Sequence, residues 1–251
     1  MNTFFYYYLL WLLAYLVTVL VLYAASIKFP LAGFGARCLA GYASLIVCAL
    51  YGVFASLILR LVGYQGLSQW TTARAFKFCM KYAAGVKFVI EDPDNYLNDT
   101  RPAVIIGNHQ TELDVLMLAC VFPKWCSVTA KKSLKNWPFL GWFMALSGTV
   151  FIDRANSSSA RNAMSGAAKE IKGAKQSVYM FPEGTRSYSK EPMLLPFKKG
   201  AFHLALQAGV PILPVVVANY ADVLFVQGYK FRSGTILCKG WFCLTWNWNS
   251  G

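Results

Sequence analysis

The sequence predicts an α/β domain with a mixed, largely parallel sheet flanked by helices, preceded by a pair of hydrophobic helices in the membrane. First, 57% of the 251 residues are hydrophobic and 14% are charged, whereas about a quarter of residues are charged in ordinary soluble domains. Second, all 11 acidic residues follow residue 90. Third, short β-rich runs alternate with helical stretches beyond residue 85, which is the pattern of α/β folds.

Residues 1–62 are predicted to form the membrane-anchoring helix pair. Residues 1–27 and 38–59 contain no charged side chain, and about 20 apolar residues suffice to cross a bilayer. The first eight residues lack Lys and Arg, which favours a retained anchor over a cleaved signal peptide. With a loop at 28–37, the pair either spans the membrane or enters one leaflet as a hairpin, and both arrangements leave the two ends on the same side.

Basic residues just after the second apolar stretch outnumber Lys28 and Arg37 in the loop, so the positive-inside rule predicts a cytosolic main domain. Three of these basic residues recur along a predicted helix at 68–84, as a stripe that either lies on the membrane surface or is a solvated face. The seven cysteines show no metal-ligand spacing. They indicate reduced thiols on the cytosolic side and no metal site.

The main domain is predicted to span residues 63–236, with an atypical tail at 237–251. Its strands are predicted at 87–91, 103–107, 125–130, 149–153, 177–181 and 212–217. Its helices are predicted at 111–122, 156–173 and 199–208. The chain lacks the nucleophile elbow of serine hydrolases, the phosphate-binding loop of NTPases, the zinc-protease helix motif and the dinucleotide-binding glycine motif.

His109 is the leading candidate for acid–base chemistry. It follows the buried strand 103–107, at the sheet edge where α/β folds bind ligands. Asp114 lies just over one turn into the next helix, from where its carboxylate can fold back onto the imidazole and raise its basicity. The alternative is an N-capping segment before a solvated helix face. The other histidine, His203, lies in an apolar helical stretch and is predicted to be a packed or interfacial residue.

A second group of polar residues follows the strand at 177–181. Gly184 allows the backbone to approach a ligand closely, and its amide can meet an anion. Arg186 offers a planar fork of donors suited to phosphate, and Arg154 ends a third strand. Each arginine has the alternative role of a surface ion-pair residue.

Four blocks in order resemble those of the glycerolipid acyltransferases related to 1-acyl-sn-glycerol-3-phosphate acyltransferase. The resemblance extends over residues 77–235, and the apolar helix pair also resembles the family's membrane anchor. The four blocks are NHQTELD at 108–114, GTVFIDR at 148–154, FPEGTRS at 181–187 and VPILPV at 210–215.

This resemblance implies acyl transfer from acyl-CoA to the sn-2 hydroxyl of 1-acyl-sn-glycerol-3-phosphate, giving phosphatidate and CoA. His109 is implied to be the general base, with Asp114 orienting it and no acyl-enzyme formed. Acyl-CoA is a co-substrate, and no cofactor or metal is implied. The positions implied to hold the acceptor's phosphate are Arg154, Glu183, Gly184 and Arg186, with Lys131 adding to the basic surface.

The formal net charge of +13 fits anionic partners, namely lysophosphatidate, acyl-CoA and a phospholipid membrane. The basic residues are interleaved with apolar strands, which argues against nucleic acid as a partner. The family indicates the endoplasmic reticulum membrane, with the catalytic domain in the cytosol. The block at 210–215 is predicted to be a buried strand, although the family associates it with the acyl donor.

The end of the chain departs from the family after residue 236, where a further strand is expected. A missing strand would leave an exposed sheet edge. The alternative hypothesis is therefore a catalytically weak, membrane-anchored lipid-binding or regulatory protein. Within the enzyme hypothesis, glycerol-3-phosphate or another lysophospholipid is an alternative acceptor.

Overall fold

The computed structural model describes residues 3–240. Its N-terminal pair consists of α1 (Thr3–Ala25) and α2 (Pro30–Leu61), joined by the four residues 26–29. Both helices are long and apolar enough to cross a membrane. The predicted loop at 28–37 is wrong, because Pro30 opens α2, and proline suits the first helical position, where no intrahelical N–H bond is lost.

Helix α2 lies along the main domain over most of its length. Near its start, the Arg37 Nε donates a hydrogen bond to the Ala84 carbonyl at 3.2 Å. Farther along, Gly52 is closely packed, because a Cβ at this position would lie 2.8 Å from the Thr72 Oγ1. Helix α1 packs against α2 and exposes most of its large apolar side chains, as expected of a surface that lipid covers.

The predicted helix at 68–84 is confirmed as α3 (Ser68–Ala83), but its basic stripe is not one continuous surface. The Arg74 guanidinium donates hydrogen bonds to carbonyls at the end of α5 (Asp114–Val121), including that of Cys120 at 2.9 Å and that of Phe122 at 3.0 Å. These carbonyls lack intrahelical partners, so a cation stabilises them. Arg74 therefore caps a helix instead of facing the membrane.

The predicted mixed, largely parallel sheet flanked by helices is confirmed. Its strands are β1 (Val86–Glu91), β2 (Val104–Gly107), β3 (Cys126–Lys131), β4 (Val150–Ile152), β5 (Ser177–Met180), β6 (Ile212–Val217) and β9 (Gly234–Gly240). Their order is β1-β9-β6-β2-β5-β3-β4. The five strands from β6 to β4 are parallel, while β1 and β9 run in the opposite direction.

The remaining elements connect and cover this sheet. They are the helices α4 (Tyr96–Asp99), α6 (Leu140–Leu146), α7 (Ser157–Ala174) and α8 (Gly200–Ala208), and a hairpin of β7 (Leu224–Phe225) and β8 (Lys230–Phe231). One face of the sheet shares its hydrophobic core with α3 and α5. The other face packs against α7 and α8. The carboxyl ends of the five parallel strands therefore open at one edge between these layers.

The sheet does not end at residue 236, where the chain was expected to depart from the family, but continues to residue 240. Strand β9 lies between β1 and β6, parallel to the first and antiparallel to the second. Its alternate side chains Ile236 and Cys238 are buried, which is the periodicity of a strand with a covered face. The predicted domain boundary at 236 consequently falls inside β9, and residues 237–240 belong to the sheet. The rest of the predicted tail, 241–251, lies outside the described residues.

Candidate active site

His109 and Asp114 form a hydrogen-bonded pair at the carboxyl edge of the parallel strands. The His109 Nδ1 lies 2.6 Å from the Asp114 Oδ2, and the two side chains are 15% and 2% exposed. The predicted contact between them is confirmed. Because an ionised carboxylate only accepts hydrogen bonds, the imidazole donates from Nδ1 and keeps Nε2 as its basic nitrogen.

Asp114 is held by further donors. Its Oδ2 also accepts hydrogen bonds from the backbone amides of Gln110 and Thr111, at 2.6 and 3.2 Å. Its Oδ1 accepts one from the Tyr220 hydroxyl at 2.6 Å. Burial, and then the negative charge of Asp114, raise the pKa of Tyr220 well above its usual value near 10. Tyr220 therefore stays protonated and keeps donating to the carboxylate.

The backbone around His109 is fixed by the segment after β5. The His109 amide donates to the Glu183 Oε1 at 2.7 Å, and the His109 carbonyl accepts from the Ser187 amide at 3.0 Å. The imidazole stacks on the Phe181 ring, with 3.9 Å between centroids and 15° between planes. Two loops that are distant in sequence thus hold the ring in one orientation.

Glu183, predicted to help hold the acceptor's phosphate, is a buried carboxylate with both oxygens hydrogen-bonded. It is 2% exposed, and its second oxygen, Oε2, accepts a hydrogen bond from the Leu195 amide at 3.0 Å. A buried carboxylate that already accepts from two amides offers no donor to a phosphate. In this structure Glu183 joins the His109 loop to the 187–199 segment, and its contact with a substrate phosphate stays a prediction.

Arg154 and Gly184, both predicted to help hold the acceptor's phosphate, lie in contact. The Arg154 Nη1 donates to the Gly184 carbonyl, which leaves other guanidinium donors for an anion. The Gly184 amide donates to the Phe181 carbonyl at 3.1 Å, so the prediction that this amide meets an anion is not supported. Lys131 is exposed at the end of β3, opposite Ile152 on the neighbouring strand, and so lies at the same sheet edge as Arg154.

Arg186 forms an ion pair near the His–Asp pair. Its Nη1 lies 2.9 Å from the Glu112 Oε1, which also accepts a hydrogen bond from the Tyr188 hydroxyl at 2.7 Å. The Arg186 Nε and the Glu112 Oε2 are buried without a partner among residues 3–240. In this structure Arg186 is therefore an ion-pair residue, which is the alternative to phosphate binding given in the sequence analysis.

Sequence reasoning missed several residues of this site. Tyr220 follows β6 and lies 106 residues from Asp114 in sequence, so no local spacing identifies it. Phe181 was part of the segment singled out at 181–187 and Tyr188 directly follows it, but nothing in the sequence shows that Phe181 stacks on His109 or that Tyr188 bonds Glu112. Glu112 lies inside the recognised block at 108–114, which is the one signal that draws attention to it.

The remaining histidine, His203, was predicted to be packed or interfacial. The structure places it on α8 as an exposed residue on the wall of a cavity. Its neighbours Leu204 and Ala205 are buried against the sheet. His203 therefore belongs to the solvent side of that helix, close to the site but outside the His–Asp pair.

Fold and site together define an α/β protein with a His–Asp pair at the carboxyl edge of a parallel sheet. This arrangement suits the removal of a proton from a substrate hydroxyl. The Acyltransferase family model matches residues 88–218. The chain belongs to this acyltransferase family.

Curated relatives extend the similarity beyond the family domain. The 1-acyl-sn-glycerol-3-phosphate acyltransferase of Saccharomyces cerevisiae is 46% identical over 192 residues, which cover 76% of this chain and 63% of that protein. An uncharacterized acyltransferase of Schizosaccharomyces pombe is 42% identical over 203 residues, covering 81% of this chain and 72% of that one. The human 1-acyl-sn-glycerol-3-phosphate acyltransferase beta is 40% identical over 156 residues, covering 62% and 55%. The chain thus spans less than two thirds of the yeast and human enzymes.

A solved structure shares the fold. The crystal structure of the 1-acyl-sn-glycerophosphate acyltransferase PlsC from Thermotoga maritima matches with a TM-score of 0.62 and 20% sequence identity, covering 95% of this chain and 89% of that one. Because the match covers 95% of this chain, it extends over the N-terminal helix pair as well as the α/β domain.

Proposed function

We propose that this protein transfers an acyl group from acyl-CoA to the sn-2 hydroxyl of 1-acyl-sn-glycerol-3-phosphate, giving phosphatidate and CoA. The observation that carries the proposal is the His109–Asp114 pair, joined at 2.6 Å with the imidazole Nε2 left to take a proton. The family and the activities in the names of the yeast and human relatives support the choice of reaction.

In the proposed mechanism, the His109 Nε2 removes the proton from the sn-2 hydroxyl while its oxygen attacks the thioester carbonyl carbon. The carbon–sulfur bond then breaks, and the imidazolium returns the proton to the CoA sulfur. Asp114 stabilises the imidazolium charge in between, as paired carboxylates do in other acyl transfers. No acyl-enzyme is formed, and the reaction requires neither a cofactor nor a metal.

Arg154 and Lys131 are the proposed contacts for the phosphate of the acceptor, since both are exposed cations at the sheet edge that carries His109. Arg186 joins them when an anion takes over from Glu112, to which it is paired at 2.9 Å. A phosphate offers the guanidinium the same two-oxygen geometry as a carboxylate. This exchange couples binding of the acceptor to the loop that carries His109.

The proposed setting is the cytosolic side of the endoplasmic reticulum membrane. The apolar surface of α1 and α2 brings the domain to the lipid in which a lysophospholipid acceptor resides. The proposed partners are accordingly lysophosphatidate, acyl-CoA and the phospholipid bilayer.

The test is acyl transfer from labelled acyl-CoA to lysophosphatidate, by membranes that contain the protein or its His109→Ala variant. We expect the variant to lose about 10²- to 10⁴-fold in turnover, the usual contribution of a positioned base. Glycerol-3-phosphate and other lysophospholipids are offered in parallel to test the alternative acceptors.

Equal rates of acyl transfer by the wild type and His109→Ala would contradict the role of His109 as the base. The unfolding temperatures of the two proteins are compared to show that the variant is folded. Absence of transfer by both would favour the alternative of a membrane-anchored lipid-binding or regulatory protein. That alternative rested on the end of the chain, of which the described part, up to Gly240, continues as β9 between β1 and β6.

A further inference from the structure

A cavity of about 790 Å³ opens beside the His–Asp pair, on the face of the sheet covered by α7 and α8. Its volume lies in the range of sites that hold drug-sized ligands and cofactors, about 300 to 1,000 Å³. The cavity lies on the face of the sheet away from α2, because α2 packs against α3 and α6, whereas α7 and α8 pack on the opposite face. We call this cavity, between α7, α8 and the ends of β3, β4 and β5, the α7–α8 groove.

The α7–α8 groove is basic. Arg154, Arg161, Lys198 and His203 line it, and no acidic residue is among its lining residues. Within the part of the chain that the structure describes, the side chains of Arg161, Lys198 and His203 form no salt bridge or hydrogen bond, and all three residues are exposed. Cations gathered in a concave surface without counter-charges attract an anionic ligand.

The fold concentrates these cations from separate segments. Arg161 lies near the start of α7, whose N-cap Asn156 accepts a hydrogen bond from the Ser159 amide at 2.9 Å. Lys198 lies two residues before α8 and over Gly184, where a Cβ would be 2.9 Å from the lysine Nζ. The amino-terminal halves of two helices therefore face the groove, and helix amino-termini also favour negative charge.

The rest of the wall is formed by apolar and uncharged polar side chains. Ile152, Met164, Met180 and Leu204 line the groove, so its ligand combines several negative charges with apolar surface. Phe181 also lines it and stacks on the His109 ring at 3.9 Å. The groove thus ends one aromatic ring away from the proposed base.

We infer that the α7–α8 groove binds the nucleotide part of acyl-CoA, with Arg161, Lys198 and His203 contacting its phosphates and Arg154, at the Gly184 end of the groove, kept for the phosphate of the acceptor. This inference rests on the proposed function. CoA carries a 3′-phosphate and a pyrophosphate on an adenosine, joined to a long pantetheine arm that ends at the thioester. This water-soluble part matches a basic, partly apolar groove on the sheet face away from α2, while the arm passes Phe181 to reach His109.

The test is direct binding of CoA to the purified full-length protein in nanodiscs, measured for the wild type, Arg161→Ala and Lys172→Ala. Lys172 is an exposed cation of α7 that does not line the groove, so its variant controls for net charge. We expect Arg161→Ala to weaken CoA binding by about three- to tenfold, as for a lost charge-assisted contact, and Lys172→Ala to bind like the wild type. Dephospho-CoA, which lacks the 3′-phosphate, identifies which phosphate Arg161 contacts.

The same variants are then assayed for acyl transfer. We expect the KM for acyl-CoA to rise in Arg161→Ala while the KM for lysophosphatidate stays unchanged. A rise confined to lysophosphatidate would assign the groove to the acceptor and overturn the inference. Equal CoA affinity in the wild type, Arg161→Ala and Lys172→Ala would also overturn the inference. If the wild type still transfers acyl groups in that case, the proposed function is unaffected. If the wild type binds no CoA and transfers no acyl group, the donor assignment itself fails.

Discussion

The His–Asp pair and the α7–α8 groove lie at the same sheet edge but differ in how their polar atoms are satisfied. Both carboxylate oxygens of Asp114 accept hydrogen bonds, and its side chain is 2% exposed. In the groove, Arg161, Lys198 and His203 are exposed basic residues whose side chains have no such partners in residues 3–240. The groups assigned to chemistry are held rigidly by the protein, whereas those assigned to binding keep their donors for a ligand. Preorganised groups of the first kind stabilise a transition state without reorganisation.

The largest effect should come from breaking the buried pair with Asp114→Asn. We expect turnover to fall by about 10²- to 10⁴-fold, because an amide cannot accept from His109 and two backbone amides while stabilising an imidazolium. The measurement is the kcat for acyl transfer at saturating substrates. Asp94→Asn, at an exposed carboxylate distant in sequence from the site, serves as the control, and a loss no larger than in this control would refute the orienting role.

Glu183→Gln tests whether this carboxylate supports the site or binds substrate. Glu183 now accepts hydrogen bonds from the backbone amides of His109 and Leu195. In the glutamine variant, the side-chain N–H₂ group faces one of these two amides, so that two donors meet. An unsatisfied buried donor costs about 1–3 kcal/mol, and we expect the free energy of unfolding in denaturant to fall by this amount. Arg154→Ala should instead raise the KM for lysophosphatidate and leave stability unchanged. The reverse pattern would support the phosphate contact predicted for Glu183.

Tyr220→Phe should have the smallest effect on turnover. It removes one hydrogen bond to a charged group, worth about 1.5–3 kcal/mol, while Asp114 keeps its contacts with His109 and Gln110. We expect a loss of about tenfold in kcat, with Tyr82→Phe as the exposed control. A kcat equal to that of this control would show that the tyrosine does not position the carboxylate.

The same variant has a signature in alkaline stability. The pKa of Tyr220 is raised well above 10 by burial and by Asp114, so above about pH 10 the unfolded chain loses this proton while the folded protein keeps it. The unfolded state then binds fewer protons, and the free energy of unfolding falls as the pH rises. Tyr220→Phe should make this fall shallower, by up to about 1.4 kcal/mol per pH unit. Identical slopes for variant and wild type would contradict the assignment.

Much of the fold was predictable because its signals are local. The six strands recognised in the sequence correspond to β1–β6, since short apolar runs between turn residues mark buried strands. The His109–Asp114 contact was predictable for the same reason, because five residues place the carboxylate one helical turn from the imidazole. The family blocks directed attention to Arg154, Glu183, Gly184 and Arg186, but did not say which of them face a ligand.

Local signals failed where pairing is long-range. Strand β9 carries two glycines and Lys239 in place of the expected apolar run, yet it fits between β1 and β6 because its alternate side chains Ile236 and Cys238 are buried. Likewise, Arg74 has the spacing of a surface stripe, but its guanidinium meets the last carbonyls of α5. Both outcomes depend on which elements pack together, and helical or strand periodicity does not contain that information.

The sequence by itself determined the apolar helix pair, the alternation of strands and helices, the four motifs that indicate the acyltransferase family, and the His–Asp spacing. Each of these depends on residues that are close in the chain. Only the tertiary structure decided that Tyr220 holds Asp114, that Glu183 is buried under the His109 loop and that Arg161, Lys198 and His203 share one groove. These residues come from separate strand ends and helices, and the packing of both layers on one sheet brings them to a single edge.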